Sequence, residues 1–559
     1  MEVASSRPAC VFKDTGGSTV ADEGVKKRKK KRNANRRDVV DVNSGTKRRN
    51  RSWKEIYMDR GEESGLKVRV KAVDREQMVM RAVDVERLID EDHPARSIWE
   101  FVGRQDLGRF YREIKTVEGG LGRTPWDPRM MITLWVFAYS EGVGSAREIE
   151  RLCEYHPAYQ WITGMSVVNY HSLSDFRVEN GEALKKLFVE ILAALESQGL
   201  ITMTRVMQDG TKLEAAASKS SFRKEGKLRG LLRVAAEQVE ALEQTEEGQE
   251  NSERVRQAKR RASRERKKRL EAALKELESV RESKSGREEK DKVRVSTTDP
   301  DARIMKQSNG GYSPSYNVQV TTDSQEKIIV GVRVSQAGND YGELVPAIEE
   351  AKQNTGRSPE QVVVDGGYIS AANVMSMHEK QIELIGPLPD NTAKTAGLAR
   401  TKAIDPGFRA EEFIYDPDRD RYTCPLGQTL RYEAKQPHRG DMRFIYKSDP
   451  KVCATCKSKQ QCCSGSEHGI RSITRKERLP IMAKFEARMV TEEAREIYKQ
   501  RSAVAEFPNL WLKEKLGARK FKLRGLAKVG IEALWLCLTY NIINWIRISS
   551  SPVESGLAT

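Results

Sequence analysis

Apolar positions recur at helical spacing from about residue 84 to 200, and the pattern predicts a compact helical unit there. The stretch PRMMITLWVFAYSEGVGSAREIERLCEYHPAYQWITG is broken by Gly142, Gly144 and Pro157. HSLSDFRVENGEALKKLFVEILAALESQGL follows, with Ser172 or Ser174 as a cap and Gly199 as a stop. The period then changes. ITMTRVMQDGTKLEAAAS reads as a strand ending near Asp209. YNVQVTTD (316–323) and KIIVGVRVS (327–335) alternate around a short polar turn, the pattern of a β-hairpin. ELVPAIEEAKQ predicts a helix, QVVVD a buried strand, SAANVMSMHEKQ a helix and IELIGP another strand. Strands alternating with helices predict an α/β sheet with parallel members covered by helices. Residues 223–292 are almost wholly charged, with Leu, Val and Ala at intervals, which predicts a helical hairpin or coiled-coil insertion acting as a solvated spacer. Residues 390–480 are polar, carry Pro and Gly, and hold five of the eight cysteines. From about 482 to 548 the pattern is helical again. It includes IEALWLCLTYNIINWI, which carries Glu532, Asn541 and Asn544 and is short for a membrane span, so a buried core helix is expected.

Composition sharpens this outline. A chain of 559 residues exceeds one simple core, so two or more domains with insertions are expected. The net charge of +17 points to a polyanionic partner, because neutralising phosphates releases counterions. Part of that charge sits in KKRKKKRNANRR (26–37) and KRRNR (47–51). Residues 1–60 are therefore expected to be a disordered basic arm: a nuclear address, a nucleic-acid arm or a solubilising tail. No secretory signal core is visible at the N-terminus, and no membrane partner is expected. The expected setting is intracellular, with cysteines as thiols or metal ligands rather than disulfides.

Two aspartates stand out. Asp209 and Asp365 each follow an apolar strand and each precede glycine. In open α/β sheets, functional groups gather at the carboxyl ends of strands. Two carboxylates side by side repel, and one pKa rises. Mg²⁺ or Mn²⁺ removes the conflict, and two such ions about 3.5–4 Å apart can clamp the attacking and leaving oxygens of a phosphoryl transfer. A lone Asp-Gly is ordinarily a turn or cap. Two of them, each after an apolar strand in a strongly basic chain, favour metal, and a third carboxylate is then needed.

QDGTKLEAAAS, DPDARIMKQSNGGYSPSYNVQVTTD, VVVDGGYIS and YKQRSAVAEFPNLWLKEK stand in that order. The series resembles the successive blocks of DDE-type transposases of bacterial insertion sequences, in the subgroup with a helical N-terminal domain and a cysteine-bearing insertion. The resemblance runs from about residue 85 to 548. It implies a ribonuclease-H-like catalytic core over 201–548, interrupted by the insertions at 223–292 and 390–480, and a DNA-binding role for the helical domain at 84–200. It further implies an Asp–Asp–Glu triad binding two Mg²⁺ (or Mn²⁺) ions. Such an enzyme binds the terminal inverted repeats of a mobile element, cleaves double-stranded DNA at its ends and joins them to target DNA.

Carried over by position, the triad is Asp209, Asp365 and Glu506, with Tyr498, Arg501 and Lys513 contacting phosphate near the scissile bond. Four residues separate Arg501 from Glu506, where some relatives have three, and Pro508 is expected to interrupt the helix. Glu492, Glu493 and Glu514 are rivals for the third carboxylate. Gly366 and Gly367 are expected to permit close approach of backbone or DNA. Asp323 and Asp340 are read as turn or supporting residues. In the helical domain, Arg147 and Arg177, with Arg151 and His171, are candidates for phosphate or base contact. Pairing two DNA ends implies a homodimer, and the family implies the bacterial cytoplasm, at the nucleoid.

Cys424, in CPLG, and Cys453-x-x-Cys456, in CATC, resemble the two knuckles of a zinc ribbon; with Cys462 or Cys463 they could supply four thiolates to a structural Zn²⁺. Cys462 completes the expected set. Cys10 reads as a tail thiol, and Cys153 and Cys537 as core residues. The competing reading of the whole chain is a DNA-binding protein with a catalytically decayed transposase core. A nuclease that cuts without joining is a third.

Overall fold

A computed structural model of the protein describes residues 75, 76, 78, 80–112, 114, 124–244, 253–284, 286–388, 405–438, 441–463 and 470–550. The expected basic arm at 1–60, with Cys10, lies outside these residues. Residues from Ala82 onward belong to one compact unit.

A six-stranded mixed sheet organises that unit. Its members are β1 (Arg205–Glu214), β4 (Arg303–Lys306), β5 (Tyr312–Asp323), β6 (Ile329–Ser335), β7 (Gln361–Val363) and β8 (Glu383–Ile385), and β2 (Phe222–Arg223) with β3 (Val295–Ser296) forms a separate small ribbon. The order is β4-β5-β1-β7-β8, with β6 also on β5. β1 and β6 run antiparallel to β5, whereas β7 and β8 add parallel to β1. The predicted hairpin is β5–β6. Every residue of β5 from Ser313 to Asp323 is buried, although six of them are Ser, Asn, Gln or Thr. Alternation explains this: Tyr316, Val318 and Val320 share one face, and Ser315, Asn317, Gln319 and Thr321 share the other.

The helices expected at 84–200 are present, but they share one hydrophobic core with the sheet rather than forming a core of their own. The link is the C-terminal helix Leu526–Ser550, which packs against β6 and the helices Pro128–Ser140 and Gly181–Ser197. It is long and apolar enough to cross a membrane by length and composition, yet most of that stretch is buried inside the protein. Its polar residues have internal partners. Asn541 accepts from the Ile329 amide (2.9 Å) and donates to the Ile329 carbonyl (2.8 Å), so one side chain satisfies both backbone groups. Tyr540 donates to the Lys327 carbonyl at 2.9 Å, and Asn544 to that of Glu326 at 2.7 Å, which pins the β5–β6 turn. Cys153 and Cys537 are buried, as expected.

The charged insertion is a helical hairpin: Glu225–Gln244 packs on Glu253–Glu282 through a small core of Leu228, Ala235, Leu270, Ala273 and Leu277. Arg281 bonds Glu225 at the root, while Arg260 reaches Leu242 and Arg264 reaches Glu243 at the far end, so the two helices run antiparallel. The cysteine-rich stretch is a five-stranded antiparallel meander, β9 (Ile414–Asp416), β10 (Arg421–Thr423), β11 (Thr429–His438), β12 (Asp441–Ser448) and β13 (Ser472–Arg478).

Candidate active site

The register of β1 decides where the first two carboxylates go. β1 does not end near Asp209, as its sequence suggested; it continues to Glu214, and Asp209 pairs with Val320 of β5 in mid-strand. What ends there is the neighbour. β7 pairs with β1 only up to Met207↔Val363 and stops. Two residues further along both chains stand Asp209 and Asp365, so equal spacing from a shared parallel pair sets the two side by side. The Asp365 carboxylate is fixed by the Gly367 amide, which donates to Oδ1 at 2.7 Å.

Gly210 is required on the opposite face. A Cβ there would lie 2.5 Å from Gln319 Nε2, 2.6 Å from Asp340 Oδ1 and 3.0 Å from the Tyr368 hydroxyl. That face is a buried polar network. Gln208 donates to Gln319 Oε1 at 2.8 Å, and Thr321 donates to Gln208 at 2.6 Å. Asn317 and Gln319 both donate to Asp340 Oδ1 at 2.8 Å. Asp340, read from sequence as a supporting residue, thus lies directly beneath the Asp209–Gly210 step. A Cβ on Gly367 would come within 3.6 Å of Asp340 Oδ2 as well.

The third carboxylate arrives on a helix with one irregular turn. Helix Glu492–Lys499 leads through Gln500 and Arg501 into a π-helical turn, Ser502–Glu506, and then into helix Phe507–Glu514. Pro508 does not interrupt this run. It falls in the first turn of the last helix, where a missing amide costs nothing. The π turn accommodates one more residue than an α turn, and this absorbs the extra residue between Arg501 and Glu506.

Arg501 gathers the site. Its Nη2 lies 2.8 Å from Asp209 Oδ1 and 4.0 Å from Asp365 Oδ2, and its Nη1 lies 3.8 Å from Glu506 Oε1. The Arg501 and Asp209 side chains are 12% and 16% exposed, against 40% for Asp365 and 61% for Glu506, so the site grades from a buried floor to an open rim. Asn509 donates to Asp209 Oδ2 at 2.9 Å. Burial pushes the Asp209 carboxyl up to about 6; the Arg501 charge opposes the shift and the Asp365 charge adds to it. Burial also lowers the Lys513 ammonium, while Asp209 pulls it back up, so Lys513 faces the same acid.

Other sequence expectations land elsewhere. Glu514 pairs with Arg519 and Glu493 with Arg488, at the surface. Tyr498 packs against the main core. Arg147 is exposed, with its guanidinium 4.8 Å over the Tyr170 ring. Arg177 must be withdrawn as a DNA contact: it is buried, stacks on Trp135, and donates to the Tyr139 hydroxyl (3.1 Å) and the Gly144 carbonyl (2.9 Å). Glu532, also buried, opposes its charge. Asn509 was missed from sequence, although it lies three residues past Glu506 and so projects from the same helical face.

Among the described residues no three His, Cys, Asp or Glu side chains stand close enough to hold an ion as they are, and the acidic triad instead surrounds the Arg501 guanidinium. The donor set nevertheless fits a hard divalent cation. Three carboxylates converge on one positive group, and the buried Asn509 Oδ1, an oxygen acceptor, lacks a partner.

Residues 83–179 match the family described as Transposase domain (DUF772), and residues 423–546 match the Transposase DDE domain. No curated protein matches the chain. Among solved structures, the piggyBac transposase synaptic complex with hairpin DNA is similar at 9% identity over 84% of this chain and 82% of that one, with a TM-score of 0.24, too low to bear on the fold. The two family matches, one over the N-terminal helices and one containing Glu506, support a DDE transposase.

Proposed function

We propose that the chain binds the terminal inverted repeats of a mobile element, cleaves double-stranded DNA at its ends and joins them to target DNA. Asp209, Asp365 and Glu506 are the catalytic carboxylates, on a ribonuclease-H-like core. The sheet order supports that core: the first strand is central, an antiparallel hairpin lies on one side and two parallel strands lie on the other. The observation that carries the proposal is the convergence of the three carboxylates within 4.0 Å of the single Arg501 guanidinium.

Two Mg²⁺ (or Mn²⁺) ions held by the three carboxylates would supply the Lewis acidity for attack on phosphorus. The chain's own residues prepare the site for that chemistry. Asn509 and Arg501 together fix both oxygens of Asp209, and the Gly367 amide fixes Asp365. Glu506, the most exposed of the three, closes the rim from the helical side. Arg501 and Lys513 place positive charge where the anionic DNA backbone would lie. Arg147, exposed on the N-terminal helices, is a further phosphate-contact candidate. Two chains on paired DNA ends, in the bacterial cytoplasm at the nucleoid, complete the reading.

The test is a strand-transfer assay on DNA carrying the terminal repeats, with Mg²⁺ or Mn²⁺. Asp209→Asn, Asp365→Asn and Glu506→Gln are expected to keep DNA binding and lose cleavage and joining, whereas Glu514→Gln stays active. An active Glu506→Gln beside an inactive Glu514→Gln would move the third carboxylate. Wild-type binding without nicking in either metal would instead favour the decayed-core reading.

A further inference from the structure

The cysteine-rich meander has a small core of its own. Among the described residues its fully buried members are Phe413, Leu430, Tyr446, Cys462 and Ile473, with Phe408, Tyr415, Tyr422 and Phe444 packed against them, separate from the main core. A body of this size with so small a core ordinarily needs a staple. All five of its cysteines line one cavity of about 30 Å³.

The sulfurs come from three chain segments whose backbones are shaped to present them. At 424–428 the chain turns back on itself: the Cys424 amide donates to the Gln428 carbonyl at 2.8 Å, and Gly427 takes a φ of +77° that favours glycine. The same turn aims the Gln428 amide at Cys424 Sγ, 3.3 Å away. In the second segment, the Cys456 amide donates to the Cys453 carbonyl at 3.4 Å, curling Cys453-x-x-Cys456 around the cavity. The third is helix Lys459–Cys463, which carries buried Cys462. Arg471 stands over the Phe413 ring and donates to the carbonyls of Cys462 (3.3 Å) and Phe408 (2.9 Å), so a cation already lies beside the sulfurs.

We infer that this cavity is a structural Zn²⁺ site with Cys424, Cys453, Cys456 and Cys462 as its four thiolate ligands. The choice between the adjacent cysteines follows from burial: Cys462 is buried within the small core, whereas Cys463 is only partly buried against it. The thiols stand wider apart than zinc ligands, so binding draws the three segments inward and releases the thiol protons. This site does not depend on the acidic triad or on any activity of the chain.

The test is metal content of the full-length chain purified without added chelator, followed by Co²⁺ reconstitution of the stripped wild type. The expected result is one zinc per chain, a Co²⁺ thiolate charge-transfer band, and a melting temperature that falls on chelation and recovers with Zn²⁺ alone. Serine at 424, 453, 456 or 462 should lower bound zinc at least tenfold, while Cys463→Ser and Cys153→Ser keep it. Should a serine variant fold poorly, the wild-type Co²⁺ spectrum still decides. A zinc-free wild type that binds no Co²⁺ and melts identically with and without chelator would overturn the site. So would retention of zinc by Cys462→Ser together with its loss from Cys463→Ser, which reverses the ligand assignment.

Discussion

Arg501 occupies the centre of the acidic triad, which makes Arg501→Ala the most informative single change. In the metal-free chain, Arg501 is the counter-ion that lets Asp209 stay charged in a largely buried position. Losing one partner of a buried pair typically costs about 3–5 kcal/mol. Here the loss is capped, because Asp209 can take up a proton instead. With its carboxyl at about 6, charged Asp209 is favoured over the neutral form at pH 7 by about 1.4 kcal/mol, and the electrostatic loss cannot exceed that. The lost hydrogen bond adds about 1 kcal/mol, for a total of roughly 2–3 kcal/mol. Unfolding entropy of roughly 2.1 cal/mol/K per residue gives a unit of this size about 1 kcal/mol/K, so the variant should melt about 2–3 °C lower in EDTA at pH 7. At pH 5, Asp209 is already mostly protonated in the wild type, and the difference should shrink toward the hydrogen-bond part alone. Mg²⁺ should then raise the melting temperature of the variant more than that of the wild type, because no guanidinium competes for the carboxylates. Differential scanning fluorimetry across pH and Mg²⁺ reads all of this. Equal melting of variant and wild type in EDTA, with equal Mg²⁺ shifts, would refute the counter-ion role.

Other predictions follow from the same geometry. The Asp209 carboxyl titrates higher in the folded chain than its ordinary 3.8, so its contribution to stability is present below pH 4 and lost as pH rises through about 6. In EDTA, Asp209→Asn should therefore gain on the wild type between pH 4 and pH 7, by up to about 3 kcal/mol or roughly 3 °C, and a flat difference across that range would contradict the burial argument. Gly210→Ala drives a Cβ into Gln319, Asp340 and Tyr368 and should cost about 1–3 kcal/mol while abolishing strand transfer; wild-type transfer rates would show that the polar face tolerates displacement. Asn541→Leu strips both backbone groups of Ile329 of their partner and should lower the melting temperature by about 2–4 °C, and hydrogen exchange at Ile329 should quicken.

What sequence could reveal depended on whether the signal was local. The strands β1, β5, β6, β7 and β8 and the two helices between β6 and β8 followed from alternation and period, and the hairpin β5–β6 followed from its turn, whereas the short strands β2, β3 and β4 carried no such signal. The proximity of Asp209 and Asp365 was legible as chemistry but for the wrong local reason: Asp209 is mid-strand, and it is β7 that ends. Termination of a neighbour is a property of pairing, which a single strand does not encode. Arg177 was misplaced because a charged residue in a basic chain reads as surface, and only the tertiary fold reveals Trp135, Tyr139 and Glu532 around it. The sharing of one core by the N-terminal helices and the sheet was equally invisible, since it rests on the helix Leu526–Ser550, more than three hundred residues away from the helices it touches.

The extra residue between Arg501 and Glu506 shows how such a mismatch resolves physically. In an unbroken α-helix, one added residue rotates everything after it by about 100°, which would turn Glu506 away from the sheet if Arg501 stayed fixed. A proline two residues on seemed to compound the problem. The chain instead widens a single turn, Ser502–Glu506, into a π-helix, so both Arg501 before it and Asn509 after it reach Asp209. Pro508 helps, because the α-helix resumes at Phe507 and proline is well suited to a first turn. Widened turns are intrinsically weak and survive where surrounding contacts over-determine them. Here the hydrogen bonds from Arg501 and Asn509 to the two oxygens of Asp209 supply that constraint from either side, so the acid and the turn that completes its surroundings stabilise one another.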